Sequence, residues 1–262
     1  MPPAVSLLLK KKKANWRRAK KTVDLYTPIV NSMQVKSYWE SFVSILFPPL
    51  CVSCENVLLH QEEFICTTCR YHLPTNDHYH FKQNEVTQRL LGKAPIYTGA
   101  AYLSFSKSSL VQAIIHKLKY RKDLRIGKYL GKCFGKQLLA STFYSDIDVV
   151  VPLPLHRKKK RIRGYNQSEY IAQGIADVMS LPLNQVDFVR IINTETQTKK
   201  SRVERHDNVE DAFFCIKPSV FESKHILLVD DVFTTGATIA SAARALAEQC
   251  HCKVSIAVLA IA

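Results

Sequence analysis

The stretch "ILLVDDVFTTGATIASAARAL", residues 226 to 246, constrains the fold more than any other in the chain. An uninterrupted apolar run ends in two adjacent carboxylates, Asp230 and Asp231. A turn of Thr234, Thr235, Gly236, Ala237 and Thr238 follows, and then an amphipathic run. The order predicts a buried strand, a tight turn and a helix. A strand that is apolar on both faces belongs in a mostly parallel sheet with both faces covered. In such sheets ligands bind outside the carboxyl ends of the strands. The first N–H groups of a helix, with the positive end of its dipole, favour an anion there. The three threonine hydroxyls add donors, and Gly236 allows the backbone to approach closely. Two carboxylates beside a phosphate cradle suit a ribose phosphate, with the acids accepting from vicinal hydroxyls or holding Mg²⁺. Two other readings of the stretch are a surface turn with an adventitious acidic pair and a nucleotide-hydrolysing P-loop. The P-loop needs G-x4-G-K-[ST] upstream. Gly127 to Lys132, "GKYLGK", is one residue short and is followed by Cys133, which excludes it.

The rest of the chain supplies strands and helices in alternation. "IYTGAAYLSF" (96–105), "IDVVVPLP" and "KVSIAVLAIA" read as strands. "SSLVQAIIHKLKY" places Leu110, Ile114 and Leu118 at helical spacing, and "IGKYLGKCFGKQLLA" does the same for Leu130, Phe134 and Leu138. "NQSEYIAQGIADVM" reads as a helix capped near Asn166 or Ser168. "NDHYHFKQNEVTQRLLGKAP" is polar and reads as a connector. The fold class expected is α/β.

Four of the eight cysteines carry a spacing. Cys51 and Cys54 are separated by two residues, as are Cys66 and Cys69. Two such knuckles supply four thiolates to a tetrahedral, structural Zn²⁺. The other readings are two disulfides or free thiols. His60 and His72 lie nearby, but four thiolates already fill the sphere. Cys133 reads as a core residue. Cys215, Cys250 and Cys252 show no pairing, and Cys250-His251-Cys252, read as strand, would point to opposite faces.

The net charge is +15, and its distribution is uneven. Residues 1–32 hold eight Lys/Arg against the single acid Asp24. Residues 1–35 therefore read as a disordered basic arm, with translation starting either at Met1 or at Met33. Residues 36–80 read as a leading helix (36–47) and a zinc module, and 81–262 as the α/β domain. No apolar run is long enough to span a membrane, and the charge of the first residues follows the apolar ones, unlike a secretory signal. A cytoplasmic protein is expected.

Three motifs carry a family resemblance. "ILLVDDVFTTGAT" resembles the ribose-phosphate motif of type I phosphoribosyltransferases, which bind phosphoribosyl pyrophosphate (PRPP). "VVVPLPLHRKKKRIRGYNQSEYIA" (149–172) and "TQTKKSRVERHDNVEDAF" (196–213) are similar to the ComF family, whose members join an N-terminal zinc ribbon to a phosphoribosyltransferase-like domain. The resemblance runs from about residue 38 to 262. It implies that Asp230 and Asp231 contact the ribose hydroxyls and that Thr234, Thr235, Gly236, Ala237 and Thr238 hold the 5′-phosphate. It places Pro152 to Arg157, including Pro154, Leu155, His156 and Arg157, at the pyrophosphate loop. Lys158 to Gln167 becomes a mobile hood, with Arg163, Gly164, Asn166 and Gln167 matching its motif. Six basic residues among the seven from Arg157 to Arg163 suit an anionic leaving group, although such a run also suits a solvated loop.

One departure is visible. Purine-type members of the superfamily carry an aspartate where Thr234 stands, which disfavours a purine substrate of that kind. A glutamine-hydrolysing domain has no room in this chain. Two functions from different classes follow. As an enzyme, the protein transfers a phosphoribosyl group from PRPP-Mg²⁺ to an unknown acceptor, with Asp230, Asp231 and Arg163 as the catalytic set. As a binding module, it uses the same fold to bind single-stranded DNA in natural competence, with competence-machinery proteins as partners, or to sense PRPP. Tyr120 and Tyr165 lie within basic runs, where a tyrosine either packs or stacks on a base.

Overall fold

The computed structural model describes residues 47–105, 109–120, 124–155, 157–192 and 211–262. The basic arm and the leading helix expected over 36–47 lie outside the described residues, apart from Phe47, as does most of "TQTKKSRVERHDNVEDAF".

Four apolar runs build one parallel sheet: β1 (Gly99–Ser104), β2 (Val149–Pro152), β5 (His225–Phe233) and β6 (Lys253–Ile261), in the order β1-β6-β5-β2. Successive side chains divide between two cores, as the pleat requires. Leu227, Val229, Ala257 and Leu259 join one. Ile226, Leu228, Ile256 and Val258 join the other. The α/β class with a mostly parallel, doubly covered sheet is therefore found as expected. Both outer edges are partly bonded by neighbouring chain, which shortens the free ladder. The chain at 74–76 bonds along β1 through Asn76 N–H to Tyr102 O (2.8 Å) and Ser104 N–H to Pro74 O (2.8 Å). Residues 182–184 do the same for β2, with Val150 N–H donating to Pro182 O at 2.9 Å.

On the first face lie α1 (Thr67–Tyr71) with the cysteine module, and then, after α2 (Glu85–Leu90), the helices α3 (Ser109–Tyr120), α4 (Leu124–Leu139) and α6 (Gln167–Met179). The helix α5 (Arg157–Arg163) precedes α6. The stripe Leu130, Phe134 and Leu138 is fully buried. The glycines between those residues do as much. A Cβ on Gly131 would lie 2.2 Å from the Ile171 carbonyl oxygen, and one on Gly174 would lie 2.1 Å from that of Lys128. The helices α4 and α6 thus meet backbone to backbone.

The second face is covered by α2, by α7 (Ala237–Cys250) and by an antiparallel pair, β3 (Phe188–Ile192) with β4 (Asp211–Cys215). The side chain of Gln249 on α7 fixes β4, accepting from Cys215 N–H and donating to Phe213 O, each at 2.9 Å.

Two local expectations change. The polar connector holds a helix, α2. Asn84 caps it in a reciprocal box with Thr87, and its two apolar residues, Val86 and Leu90, are fully buried. Its single turn and a half is too short to show a period. Cys250, His251 and Cys252 are not strand neighbours. Cys250 ends α7 and His251 is its left-handed cap. Cys250 is buried against Cys215, with the sulfurs 2.9 Å apart as free thiols.

Candidate functional site

The strand β5 outlasts its neighbour. β2 pairs only as far as Pro152 opposite Val229, while β5 continues to Phe233 along β6. Beyond Val229 one side of β5 therefore lacks a strand. The chain leaves β2 toward α6 on the first face and leaves β5 toward α7 on the second. The carboxyl ends of β2 and β5 thus flank a crevice at the point where the connections diverge, the position favoured for ligands in open α/β sheets.

A pocket of about 170 Å³ fills that crevice. It brings together Pro154, Leu155, Arg163, Asn166, Gln167, Asp230, Asp231 and the whole turn from Thr234 to Thr238. His156 lies outside the described residues. Arg157 begins α5, and its side chain is not described. The stretch expected as a hood folds as α5 and a turn at Gly164, where φ is +82°.

The turn is shaped by a glycine. Gly236 has φ +75°, and a Cβ there would lie 2.7 Å from the Phe233 ring. It is the N-cap of α7, so the first N–H groups of a fourteen-residue helix open onto the pocket. Thr234, Thr235 and Thr238 are exposed at the rim. The turn is held from behind. Arg89 of α2 donates to Thr234 O at 3.0 Å, and Lys93 donates to Thr235 O at 3.4 Å. Both bind carbonyls rather than N–H groups; Ala237 N–H makes a long bond to Thr235 Oγ1 at 3.4 Å.

The acidic pair sits in an organised field. Asp230 Oδ1 accepts from Ser168 Oγ at 3.0 Å and from Asp231 N–H at 2.8 Å. Asp231 Oδ2 faces Lys119 Nζ of α3 at 3.3 Å. Burial, then the neighbouring Asp231 charge, pushes Asp230 up to about 7 against those donors and Lys119. Asp230 keeps part of its surface open to the pocket, and solvent there moderates the rise. Asn166 is buried and fully used: its Oδ1 accepts from Ser168 N–H, capping α6, and its Nδ2 donates to Leu153 O at 2.9 Å. Gln167 is 1% exposed, and its Nε2 has no partner among the described residues. A buried amide donor without an acceptor is costly unless a ligand supplies one.

Three pocket residues escaped the sequence: Lys119, Ser168 as a donor, and Arg190 of β3. Ser168 and Lys119 reach the acids from distant elements, and Arg190 lines the same pocket from β3, so no local spacing announces them.

The four cysteines form a second site. Their sulfurs lie within 4.8 Å of one another, and among the described residues they are the group that could hold a metal ion. Cys66 caps α1 and takes the Cys69 N–H at 3.4 Å; Cys66 N–H donates to Cys51 Sγ at 3.3 Å. Burial pushes Cys69 up to about 12. At Cys51 burial opposes ionisation, but the N–H groups of Cys66, Cys54 and Ser53 outweigh it and lower the thiol to about 6. Four converging sulfurs of this kind fit a structural Zn²⁺, whose charge would let all four ionise. His60 and His72 are exposed outside the cluster, and His72 Nδ1 lies 2.8 Å from the Thr68 carbonyl.

A third constellation has the connectivity of a hydrolase triad at the far end of the sheet. His225 Nε2 lies 2.7 Å from Ser255 Oγ and Nδ1 lies 2.9 Å from Asp146 Oδ1. Ser255 is wholly buried within β6, so no substrate reaches it. The chain of bonds ties β5 to β6.

A phosphoribosyl transferase domain model matches residues 166–261, which hold the acidic pair, the turn and Gln167. The chain is 27% identical over 201 residues to competence protein ComFC of Bacillus subtilis, covering 76% of this chain and 78% of that one. The chain is thus similar to ComF competence proteins, with a phosphoribosyltransferase-like domain over residues 166–261. It is also 30% identical over 136 residues to the DNA utilization protein YhgH of Salmonella typhimurium and 33% identical over 94 residues to competence protein F of Haemophilus influenzae. It spans 59% and 41% of those two relatives. Among the described residues no helix is long and apolar enough to cross a membrane.

Proposed function

We propose that the crevice binds PRPP, and that the protein serves DNA uptake in natural transformation. The observation that carries the first part is the convergence of four features on one pocket: the acidic pair, the Gly236 turn at the start of α7, Arg163, and the unpartnered Gln167 Nε2. Asp230 and Asp231 accept from the ribose hydroxyls. The turn takes the 5′-phosphate. Arg163, with Pro154 and Leu155, faces the pyrophosphate. Mg²⁺ comes with the pyrophosphate, because it keeps water ligands and needs only one or two carboxylates from a protein. The names of the relatives, competence protein and DNA utilization protein, support the second part.

The same arrangement suits phosphoribosyl transfer. The bond from ribose C1 to pyrophosphate breaks, and the pyrophosphate leaves with the electron pair. The acceptor nucleophile bonds to C1 and gives up its proton. A non-catalytic module that binds PRPP uses the same pocket without that step, and one that binds single-stranded DNA uses the same fold. Calorimetry of PRPP-Mg²⁺ on the wild type and on Asp230→Asn with Asp231→Asn decides whether the crevice is the site. Each lost charge-assisted hydrogen bond is worth roughly 1.5–3 kcal/mol, so affinity should drop by about two orders of magnitude or more. Equal affinity in the two proteins, with unchanged circular dichroism, defeats the proposal. Pyrophosphate release in the presence of nucleobases or DNA then separates enzyme from module.

A further inference from the structure

Tyr120 ends α3 with 64% of its surface exposed. His116, one helical turn earlier, presents its ring 4.8 Å from that of Tyr120. The Arg163 guanidinium lies 5.9 Å from the Tyr120 ring centroid. Tyr165, the other tyrosine of the basic runs, does the opposite: it is 6% exposed, and its hydroxyl donates to Leu118 O at 2.8 Å. Tyr165 is packing, whereas Tyr120 is exposed, with His116 on its own helix and the Arg163 guanidinium as its neighbours.

A groove of about 620 Å³ runs along α3 beside these rings, lined by Phe105, Ile115, Lys117 and Lys119 among others. Lys119 also lines the β5 crevice, and so does Arg163. The groove and the crevice therefore share a wall at Lys119, and Arg163 links the crevice to the Tyr120 ring. One carboxylate, Glu55, sits in the groove and lies 3.3 Å from Lys117. Lys119 faces Asp231 at 3.3 Å, and Arg163 stands beside Tyr120, so Lys117, Lys119 and Arg163 face two carboxylates and the surface stays net positive by one charge.

We infer that this face seats single-stranded nucleic acid, with a base stacked on Tyr120 and the flanking phosphates beside Lys117, Lys119 and Arg163, while the crevice holds its own ligand. The inference rests on the nucleic-acid part of the function proposed above. The chemistry selects the occupant. An open ring between cations offers a base a π-face and its phosphates a counter-charge. In a duplex the bases are already stacked and cannot reach the ring. An acidic peptide would use the cations and leave the ring idle. Binding should be tolerant of sequence, because every base has a π-face.

The test titrates the full chain into a short oligothymidylate carrying one 2-aminopurine, whose fluorescence is quenched by stacking on an aromatic ring. The wild type should quench it. Tyr120→Ala should lose the quenching and about tenfold in affinity, whereas Tyr120→Phe should keep both. Saturating ribose 5-phosphate should leave oligonucleotide binding in place, and Tyr120→Ala should bind ribose 5-phosphate as the wild type does by calorimetry. Equal quenching and affinity in Tyr120→Ala, or displacement of the oligonucleotide by ribose 5-phosphate, overturns the inference. Absence of oligonucleotide binding in the wild type overturns it together with the nucleic-acid reading, while the calorimetry judges the PRPP reading separately.

Discussion

Asp230 is set between two demands. Burial and the Asp231 charge raise it from 3.8 to about 7, so the folded protein holds the proton longer than the unfolded chain does. Ionising it therefore works against folding. The penalty is absent below the unfolded value near 3.8, grows as pH rises through about 7, and is constant above that. Asp230→Asn is expected to raise the melting temperature more at pH 8 than at pH 4.5. The same change should weaken ribose 5-phosphate binding at pH 8 by about tenfold, since a charged acceptor becomes a neutral one. Scanning fluorimetry at the two pH values and calorimetry at the higher one read these opposite signs; a lower melting temperature at pH 8 would contradict the proposed origin of the shift. The acids and the turn were legible in the sequence because strand, acid, turn and helix are contiguous. Ser168 and Lys119, which set the field around them, were not. They reach Asp230 and Asp231 across 62 and 112 positions of chain, and only the fold closes that distance.

Among the elements, α4 and α6 carry the sharpest test. A glycine inside a helix ordinarily loses about 1 kcal/mol to alanine, so Gly131→Ala alone should stabilise. Here the added Cβ would lie 2.2 Å from a backbone carbonyl that cannot swing aside. Overpacking of this kind typically costs about 1–3 kcal/mol, so the sign should reverse. Urea unfolding should show a lower midpoint for Gly131→Ala, and a higher one would show that the helices can part cheaply. The sequence announced α4 through its apolar stripe. It did not announce the glycine face, because the same spacing on an isolated helix signals only weak propensity.

The cysteine module tests the other element boundary. Val52, Leu58, Ile65 and Leu73 join the same core as α3 and α4, and the Phe64 ring lies 5.4 Å from that of Tyr129. We expect one Zn²⁺ per chain by elemental analysis. Chelation should speed hydrogen exchange chiefly over residues 51–75, leaving β5 and β6 protected. A zinc-free protein in reducing buffer would rule the metal out. Exchange spreading evenly over the sheet would show instead that the module supports the whole core.

At the scale of the molecule, charge decides how much nucleic-acid binding belongs to the fold. Residues 1–32 carry eight Lys/Arg and one acid, close to half of the net +15. Such an arm binds any polyanion, so affinity alone says little. Salt dependence says more, because the slope of log affinity against log salt is about −0.7 for each single-strand phosphate neutralised. If Lys117, Lys119 and Arg163 each meet one phosphate, the chain lacking residues 1–32 should retain binding with a slope of about −2. The full chain should bind more tightly with a steeper slope. Anisotropy titrations of an oligothymidylate across a salt series give both values. Loss of all binding on removing residues 1–32 would assign it to the arm and leave the α3 groove without a ligand. A slope that survives the deletion near −2 and flattens in Lys119→Met would place a phosphate at the wall shared with the β5 crevice, beside the acidic pair.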